Sequence, residues 1–365
     1  IENVADEIDI EDLIEQQDCA YTLTHFGYIK RQPVEVYRTQ RRGGRGISGV
    51  ARKDEDFVED MFITSTHDYV LFFTNRGKMY RMKGYEIPET GRAARGSHVV
   101  NLLPIEKDEK ISAMIRVDEV ENDSYLVMVT RNGTIKRTAL SAYRNVRKGG
   151  IIAINLEEGD ELAWVRNTTG EDDLIIATRQ GVAIRFAESD VRPMGRTATG
   201  VRAIRLDEGD EVIAMATCEE GGYLLTVTEN GFGKKTALSE YRMQSRGGMG
   251  LTNYKVDEEH GAVCGIKVVD ETDDLMFISS DGVIIRVACS EIREMGRTAK
   301  GVRVMRVSEG QKVVAFTRTE ASQEEDDAEG APEGAEQPSA EPESIPAPDA
   351  QNASETGTEA PADES

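Results

Sequence analysis

Residues 128–137 read Met128-Val129-Thr130-Arg131-Asn132-Gly133-Thr134-Ile135-Lys136-Arg137. Two runs rich in apolar and β-branched residues flank an Asn-Gly pair. That pair tolerates the φ > 0 conformations a two-residue hairpin turn requires, so the stretch reads as strand, tight turn, strand. The same piece recurs around Gly27 (Tyr21 to Arg31), Gly77 (Phe72 to Arg81), Gly181 (Ile176 to Arg185), Gly231 (Thr226 to Lys235) and Gly282 (Ile278 to Arg286). Successive turn glycines lie 50, 56, 48, 50 and 51 residues apart.

A second glycine follows each hairpin: Gly46, Gly96, Gly150, Gly200, Gly250 and Gly301. Its offset from the first is 19 residues in five units and 17 in the third. Short apolar runs and acidic turns come next, such as Leu156-Glu157-Glu158-Gly159-Asp160-Glu161-Leu162. Strands and turns without helical periodicity, repeating every fifty residues or so, indicate one propeller blade per unit. One blade cannot bury both its faces, so the six units are expected to fold together over residues 19–319.

The units alternate. Units 1, 3 and 5 follow the hairpin with Tyr-Arg and a Gly-Gly stretch: Tyr37-Arg38, Tyr143-Arg144 and Tyr241-Arg242. Units 2, 4 and 6 carry Gly91 to Gly96, Gly195 to Gly200 and Gly296 to Gly301 instead. Between hairpin and anchor the candidate contacts are Arg92 and Arg95, Arg147 and Lys148, Arg196, Arg246, Arg297 and Lys300. The hairpins add Lys30, Arg31, Lys78, Arg81, Lys136, Arg137, Arg185, Lys234, Lys235 and Arg286. A single basic loop is ordinary solvated surface. Six at matching positions in units related by rotation make a band of cations around a rim, suited to an anionic polymer.

The densest patch is Gln40-Arg41-Arg42-Gly43-Gly44-Arg45-Gly46, within a stretch from Arg38 to Lys53 that has no acid. Guanidinium groups pair with phosphate oxygens and keep their charge at any working pH. Unit 5 holds a weaker copy, Gln244-Ser245-Arg246-Gly247-Gly248-Met249-Gly250. The shared glycines and central arginine therefore belong to the blade plan, and Arg41 and Arg45 are peculiar to unit 1.

The formal net charge of the 365-residue chain is −23, but the excess belongs to its ends. Residues 1–18 hold 8 acids and residues 320–365 hold 15, with no Lys or Arg in either segment. Residues 19–319 are balanced at 44 acids and 44 bases. A balanced body binds nucleic acid when its charges are segregated onto different faces. Residues 320–365, rich in Ala, Pro, Glu, Gly and Ser, are expected to be disordered. As a tethered polyanion, that tail could compete with DNA for the same cations. Residues 8–14 read as either a short strand or a helical turn.

Aromatics are 6% of the chain and almost absent from the basic loops. This favours duplex over single-stranded nucleic acid, which is held on aromatic stacking platforms. No recognition helix is evident, so backbone contacts with little base reading are expected. The four cysteines and four histidines are scattered without metal-ligand spacing. There is no signal peptide and no apolar run near the ~18 residues of a membrane span. A chain beginning at Ile1 reads as a piece of a longer protein.

The box at residues 40–46 and the six fifty-residue units together resemble the C-terminal domain of the DNA gyrase A-subunit family, over essentially all of residues 1–319. The resemblance implies an all-β, six-bladed β-pinwheel in which neighbouring blades exchange strands, followed by the acidic tail. It implies a lead-in at 1–18 and a DNA-wrapping domain at 19–319. Double-stranded DNA would wrap on the rim with a positive crossing, and residues 40–46 would be needed for the wrap. The implied partners are DNA, the rest of a homodimeric gyrase A subunit, and the gyrase B subunit, in the bacterial cytoplasm. No cofactor and no catalytic residue is implied within this chain, ATP and Mg2+ serving the whole enzyme. Two readings stay beside it: a topoisomerase IV-type C-terminal domain, and a protein-binding propeller scaffold. The scaffold reading lacks a Trp-Asp repeat, since Trp164 is the single tryptophan.

Overall fold

The computed structural model describes residues 10–34, 56, 58–91, 94–117, 123–218, 222–281 and 283–319 of the chain. The acidic tail and residues 40–46 lie outside the described residues. The lead-in ends in a 3-10 turn at Ile10–Leu13, which decides between the two sequence alternatives.

The strands in chain order are β1 (Asp18–Thr24), β2 (Tyr28–Pro33), β3 (Val58–Ser65), β4 (Tyr69–Thr74), β5 (Lys78–Lys83), β6 (Ser97–His98), β7 (Ile111–Val117) and β8 (Tyr125–Thr130). Then come β9 (Thr134–Ala139), β10 (Ile151–Ile152), β11 (Leu162–Thr168), β12 (Asp173–Thr178), β13 (Val182–Ala187), β14 (Val201–Arg202), β15 (Val212–Cys218) and β16 (Tyr223–Thr228). The last are β17 (Phe232–Ala237), β18 (Leu251–Thr252), β19 (Val263–Val269), β20 (Asp274–Ser279), β21 (Ile284–Ala288), β22 (Val302–Arg303) and β23 (Val313–Thr319).

They form six antiparallel sheets, the blades expected from the repeat. Each expected hairpin is present, with Asn132-Gly133 turning β8 into β9 and pairing Val129 with Ile135. A third strand pairs with the first strand of each hairpin, as β15 does with β12. The fourth strand comes from the next unit. Sheet orders are β3-β1-β2-β6, β10-β5-β4-β7, β11-β8-β9-β14, β15-β12-β13-β18, β19-β16-β17-β22 and β21-β20-β23. In five blades, then, a two-residue strand exchanged from the following unit closes the outer edge. The sixth has three described strands.

The exchanged strand begins directly after the second glycine anchor, and the reason is steric. Gly200 sits at φ +113°, and a Cβ there would lie 2.5 Å from the carbonyl oxygen of Ile135 in the preceding blade. A side chain would have to push the exchanged strand off its partner. The 17-residue offset of unit 3 keeps the same design: Gly150 is at φ +76° and β10 follows it. Its loop is simply shorter.

The hairpin strands do not alternate in burial. Leu174, Ile175, Ile176 and Ala177 of β12 are all inaccessible, because a neighbouring blade covers each face. The core is accordingly divided among the junctions. One cluster joins Leu71 and Phe73 of the second blade to Leu126, Met128 and Val165 of the third. Another joins Val127, Val129 and Ile135 to Leu174, Ile176 and Ile184. The first–second, fourth–fifth and fifth–sixth junctions have their own. Main-chain bonds add to the apolar packing: Leu162, Val212, Val263 and Val313 donate to the carbonyls of Asn75, Arg131, Arg179 and Glu229 in the preceding blades.

At the hairpin tips a ladder of charges runs across consecutive blades. Arg131 pairs with Glu161 at 3.1 Å and Glu211 at 3.2 Å. Arg179 links Glu211 to Glu229, and Lys312 meets Glu229 at 2.6 Å. Asp160 and Asp210 accept main-chain N–H groups of Asn132 and Gln180, both at 3.0 Å. These five acids are thus committed at the tips.

The four cysteines are free. Burial pushes the thiols of Cys218 and Cys264 up to about 12 and that of Cys289 up to about 11, which leaves them poor nucleophiles.

Candidate nucleic-acid interface

Among the described residues, the basic loops are arches laid over the outer edge of the preceding blade. The main-chain N–H groups of Thr90, Met194, Gln244 and Met295 donate to the carbonyls of Arg31, Arg137, Arg185 and Lys235 at 2.7–3.3 Å. The chain then bows outward and returns at its glycine anchor as the exchanged strand. In unit 3 the arch is two residues shorter, and there the guanidinium of Arg81 donates to the carbonyl of Arg144 at 2.7 Å.

The hairpin bases do not behave as the sequence reading expected. Lys30, Lys136, Arg137, Lys234 and Lys235 are buried, so their expected place among phosphate contacts is corrected. The physical reason is their strand. The second hairpin strand runs inside its sheet, flanked by the first strand and by the exchanged strand, and the arch covers it. The Lys136 amine donates to the carbonyls of Ala153 and Arg196. Lys234 donates to the carbonyls of Gly296, at 2.9 Å, and Arg297. Lys30 donates to Ala94 at 3.0 Å. Desolvation pushes the lysines down, Lys136 to about 7 and Lys234 to about 8.

The other hairpin bases are committed as well. Arg31 donates to the carbonyl of Ile87 at 2.8 Å and Arg185 to that of Leu238 at 3.0 Å. Lys78 pairs with Glu106 at 2.5 Å and Lys235 with Glu271 at 2.7 Å. Arg137 lies between the carbonyl of Gly170, at 3.0 Å, and the buried carboxylate of Glu188, at 3.7 Å. Arg286 pairs with Asp274. Arg31, Arg137 and Arg185 latch one unit to the next, whereas Lys78 and Arg286 pair within their own units.

The arches carry the available charge. Arg147 and Lys148 are exposed and have no side-chain partner among the described residues. Arg196, Arg246 and Arg297 are half-buried, each resting on main-chain carbonyls: Ile152 at 2.6 Å, Asp190 at 3.0 Å and Thr252 at 3.0 Å. Arg95 and Lys300 are exposed but pair with Asp56 and Asp257. Arg92 and the box from Gln40 to Gly46 lie outside the described residues.

Two exposed arginines escaped the sequence reading. Arg192 and Arg293 follow the buried side chains Val191 and Ile292, as Arg144 and Arg242 follow Tyr143 and Tyr241. The signal was there in units 3 and 5 as Tyr-Arg. It was hidden in units 4 and 6 because an aliphatic residue replaces the tyrosine.

Where the short arch of unit 3 lies, a surface recess of about 590 Å3 is lined by Arg81, Arg144, Arg147 and Arg196, from three successive units. A second recess of about 300 Å3 is lined by Arg192 and Arg246 with Pro193, Met194 and Val201. Each places guanidinium groups of different blades around one opening, an arrangement that can take phosphate oxygens. Among the described residues, no group of three or more His, Cys, Asp or Glu side chains could hold a metal ion. Among the same residues, no helix is long and apolar enough to cross a membrane.

The unit-5 copy of the box is fully described. The Arg246 guanidinium donates to the carbonyls of Asp190 and Arg202, at 3.0 and 3.2 Å. Gly247, at φ +77°, donates its N–H to Ala203 at 2.6 Å. Gly250 approaches Ala183 so closely that a Cβ would lie 2.8 Å from its carbonyl oxygen. Ser245 and Met249, which stand where unit 1 has Arg41 and Arg45, are exposed. In this copy the glycines and the central arginine build the arch, and the two remaining positions face outward.

The model of the family described as DNA gyrase C-terminal domain, beta-propeller, matches six segments: 21–65, 68–118, 124–169, 172–219, 222–270 and 273–320. The first begins within β1, and each of the other five begins one residue before a blade's first strand. The DNA gyrase A subunit of Halalkalibacterium halodurans is 58% identical over 315 residues, covering 86% of this chain and 38% of that protein. The Clostridium acetobutylicum A subunit is 51% identical, with 87% and 38% covered. The chain therefore spans about two-fifths of the length of these curated relatives. Among solved structures, the C-terminal domain of DNA topoisomerase IV superposes with a TM-score of 0.72 at 28% identity, covering 84% of this chain and 95% of that one. A DNA gyrase A C-terminal domain gives 0.68 at 28% identity, covering 83% and 99%.

Proposed function

Because the chain belongs to the DNA gyrase C-terminal domain family, we propose that it binds duplex DNA without base reading and bends it around the arches on its blade edges. The observation that carries this reading is the row of exposed cations at equivalent arch positions. Arg144, Arg192, Arg242 and Arg293 stand at one matching position on four successive units, and all four are exposed. Phosphate contacts from such a row fix the path of a duplex and carry no sequence information.

The energetics favour a distributed contact. Bending roughly 40 bp through half a circle costs on the order of 10 kcal/mol. One arch cannot offset that, whereas contacts repeated on every blade can. The box supplies the densest charge. Aligned with its unit-5 copy, the box carries Arg41 and Arg45 where that copy has the exposed Ser245 and Met249.

In the whole enzyme the wrap would present a second segment of the same DNA with a positive crossing. ATP-driven strand passage would then introduce negative supercoils. The ATPase, the Mg2+ site and the cleaving residue belong, in this reading, to the gyrase B subunit or to the rest of a homodimeric A subunit. This chain contributes binding and geometry. The topoisomerase IV-type alternative shares the duplex-binding rim, and the intact box at residues 40–46 favours the gyrase reading.

Affinity for two duplexes of unrelated sequence, measured across salt, tests this. Equal affinities with a steep log–log slope, about −0.9 for each phosphate neutralised, are expected. A shallow slope, or a strong preference for one sequence, would contradict it.

A further inference from the structure

We propose that the buried lysines of the odd-numbered units, Lys30, Lys136 and Lys234, are positioning residues for the DNA-binding arches of the even-numbered units. The inference rests on the reading of the arches as the DNA surface. Its structural half stands on a contact made three times independently. Lys30 donates to Ala94 in the arch of unit 2, Lys136 to Arg196 in unit 4, and Lys234 to Gly296 and Arg297 in unit 6.

All three lysines stand three residues after their hairpin glycine. In units 2 and 4 that position holds Tyr80 and Ile184, both buried. There the arch laid over the hairpin comes from an odd unit and closes with glycine: Gly150 packs on the Tyr80 ring and Gly248 on Ile184. The alternation of the sequence is thereby explained. Apolar side chains meet Gly-Gly arches, and lysines meet the arches that run from Gly91, Gly195 and Gly296.

A buried amine has N–H donors to satisfy and finds carbonyls inside the arch. A methionine would fill the same space without the cost of burying a charge. What lysine adds is direction, since it turns the carbonyls of the arch inward. The Arg196 guanidinium, on the far side of the same peptide, then rests on the Ile152 carbonyl at 2.6 Å and lines the arginine recess. Units 1–2, 3–4 and 5–6 thus act as pairs, each odd hairpin setting the shape of the next arch.

The test uses Lys136→Met and Lys234→Met in the full chain, with Arg196→Ala as a control. Lys136→Met should speed amide exchange within residues 194–200 and leave residues 244–250 unchanged. Lys234→Met should do the same within 294–300. Each should also lower the salt slope of duplex binding by about 1 to 2, with an unfolding midpoint no lower than that of the parent. Unchanged exchange in the facing arch overturns the proposal, and so does loss of the fold in both variants. If Arg196→Ala weakens DNA binding and Lys136→Met loosens the arch without doing so, positioning is refuted and the rim reading survives. If neither affects DNA binding, the rim reading itself falls.

Discussion

Lys136 and Arg196, sixty residues apart, are joined by a hydrogen bond from a buried amine to a main-chain carbonyl. The bond crosses from the interior of one blade to the arch of the next unit. It separates the two tasks a basic residue performs here, holding an arch from inside and presenting charge outside.

Burial pushes the Lys136 amine from 10.5 down to about 7. Below that pH it is charged in both folded and unfolded chains. Between about 7 and 10.5 only the unfolded chain retains the proton, so stability rises with pH across this window. Lys136→Met should flatten the rise. Urea midpoints at two pH values, about 6.5 and 9.5, compared between parent and variant, measure it. Identical pH dependence in the two would refute the assignment.

Gly200 and Gly209 both occupy positive φ, but only Gly200 meets a neighbouring backbone. Gly209→Ala should cost the conformational term alone, about 1–2 kcal/mol. Gly200→Ala also drives a Cβ toward the Ile135 carbonyl and should cost about 3 kcal/mol or more. Chemical unfolding of both variants checks this, and equal losses would show that the exchanged strand tolerates displacement.

Two carboxylates should behave oppositely. Glu188 is fully buried, accepts from Thr168 at 2.6 Å and Gly170 at 3.0 Å, and faces Arg137. Its replacement by Ala strands a buried guanidinium and should cost about 3–5 kcal/mol. Glu211 bridges Arg131 and Arg179 on the exposed ladder, and Glu211→Gln should cost less than about 1 kcal/mol. Thermal and urea unfolding distinguish the two.

Within the band, charge availability should decide DNA affinity. Arg147→Ala and Lys148→Ala should each reduce the salt slope by about 1. Lys78→Ala should change it far less, because Glu106 already neutralises that amine. Equal effects at the three positions would show that the partners seen here do not govern phosphate contact.

The fold was largely legible because the hairpin glycines and the second anchors are punctuation with steric causes. Gly133 turns a hairpin, and Gly200 lets an outer strand reach the previous blade. The register of fifty residues then yields the six sheets. The site was legible only in part. Lys136 and Lys148 look alike in sequence, and what separates them is which strand lies under which arch. That depends on strand exchange, a contact between units which no local pattern encodes. Arg192 escaped for a related reason: its alignment with Arg144 is clear only once Val191 and Tyr143 are seen to fill the same buried position.

The central claim is that this chain wraps duplex DNA on its arches, with the box as its strongest contact. The most direct measurement is the linking number of nicked circular DNA sealed by ligase in the presence of the domain. The account predicts a positive shift that grows with bound protein and is lost when Arg41→Ser and Arg45→Met convert the box to its unit-5 form. Saturating binding with no shift in linking number would contradict it.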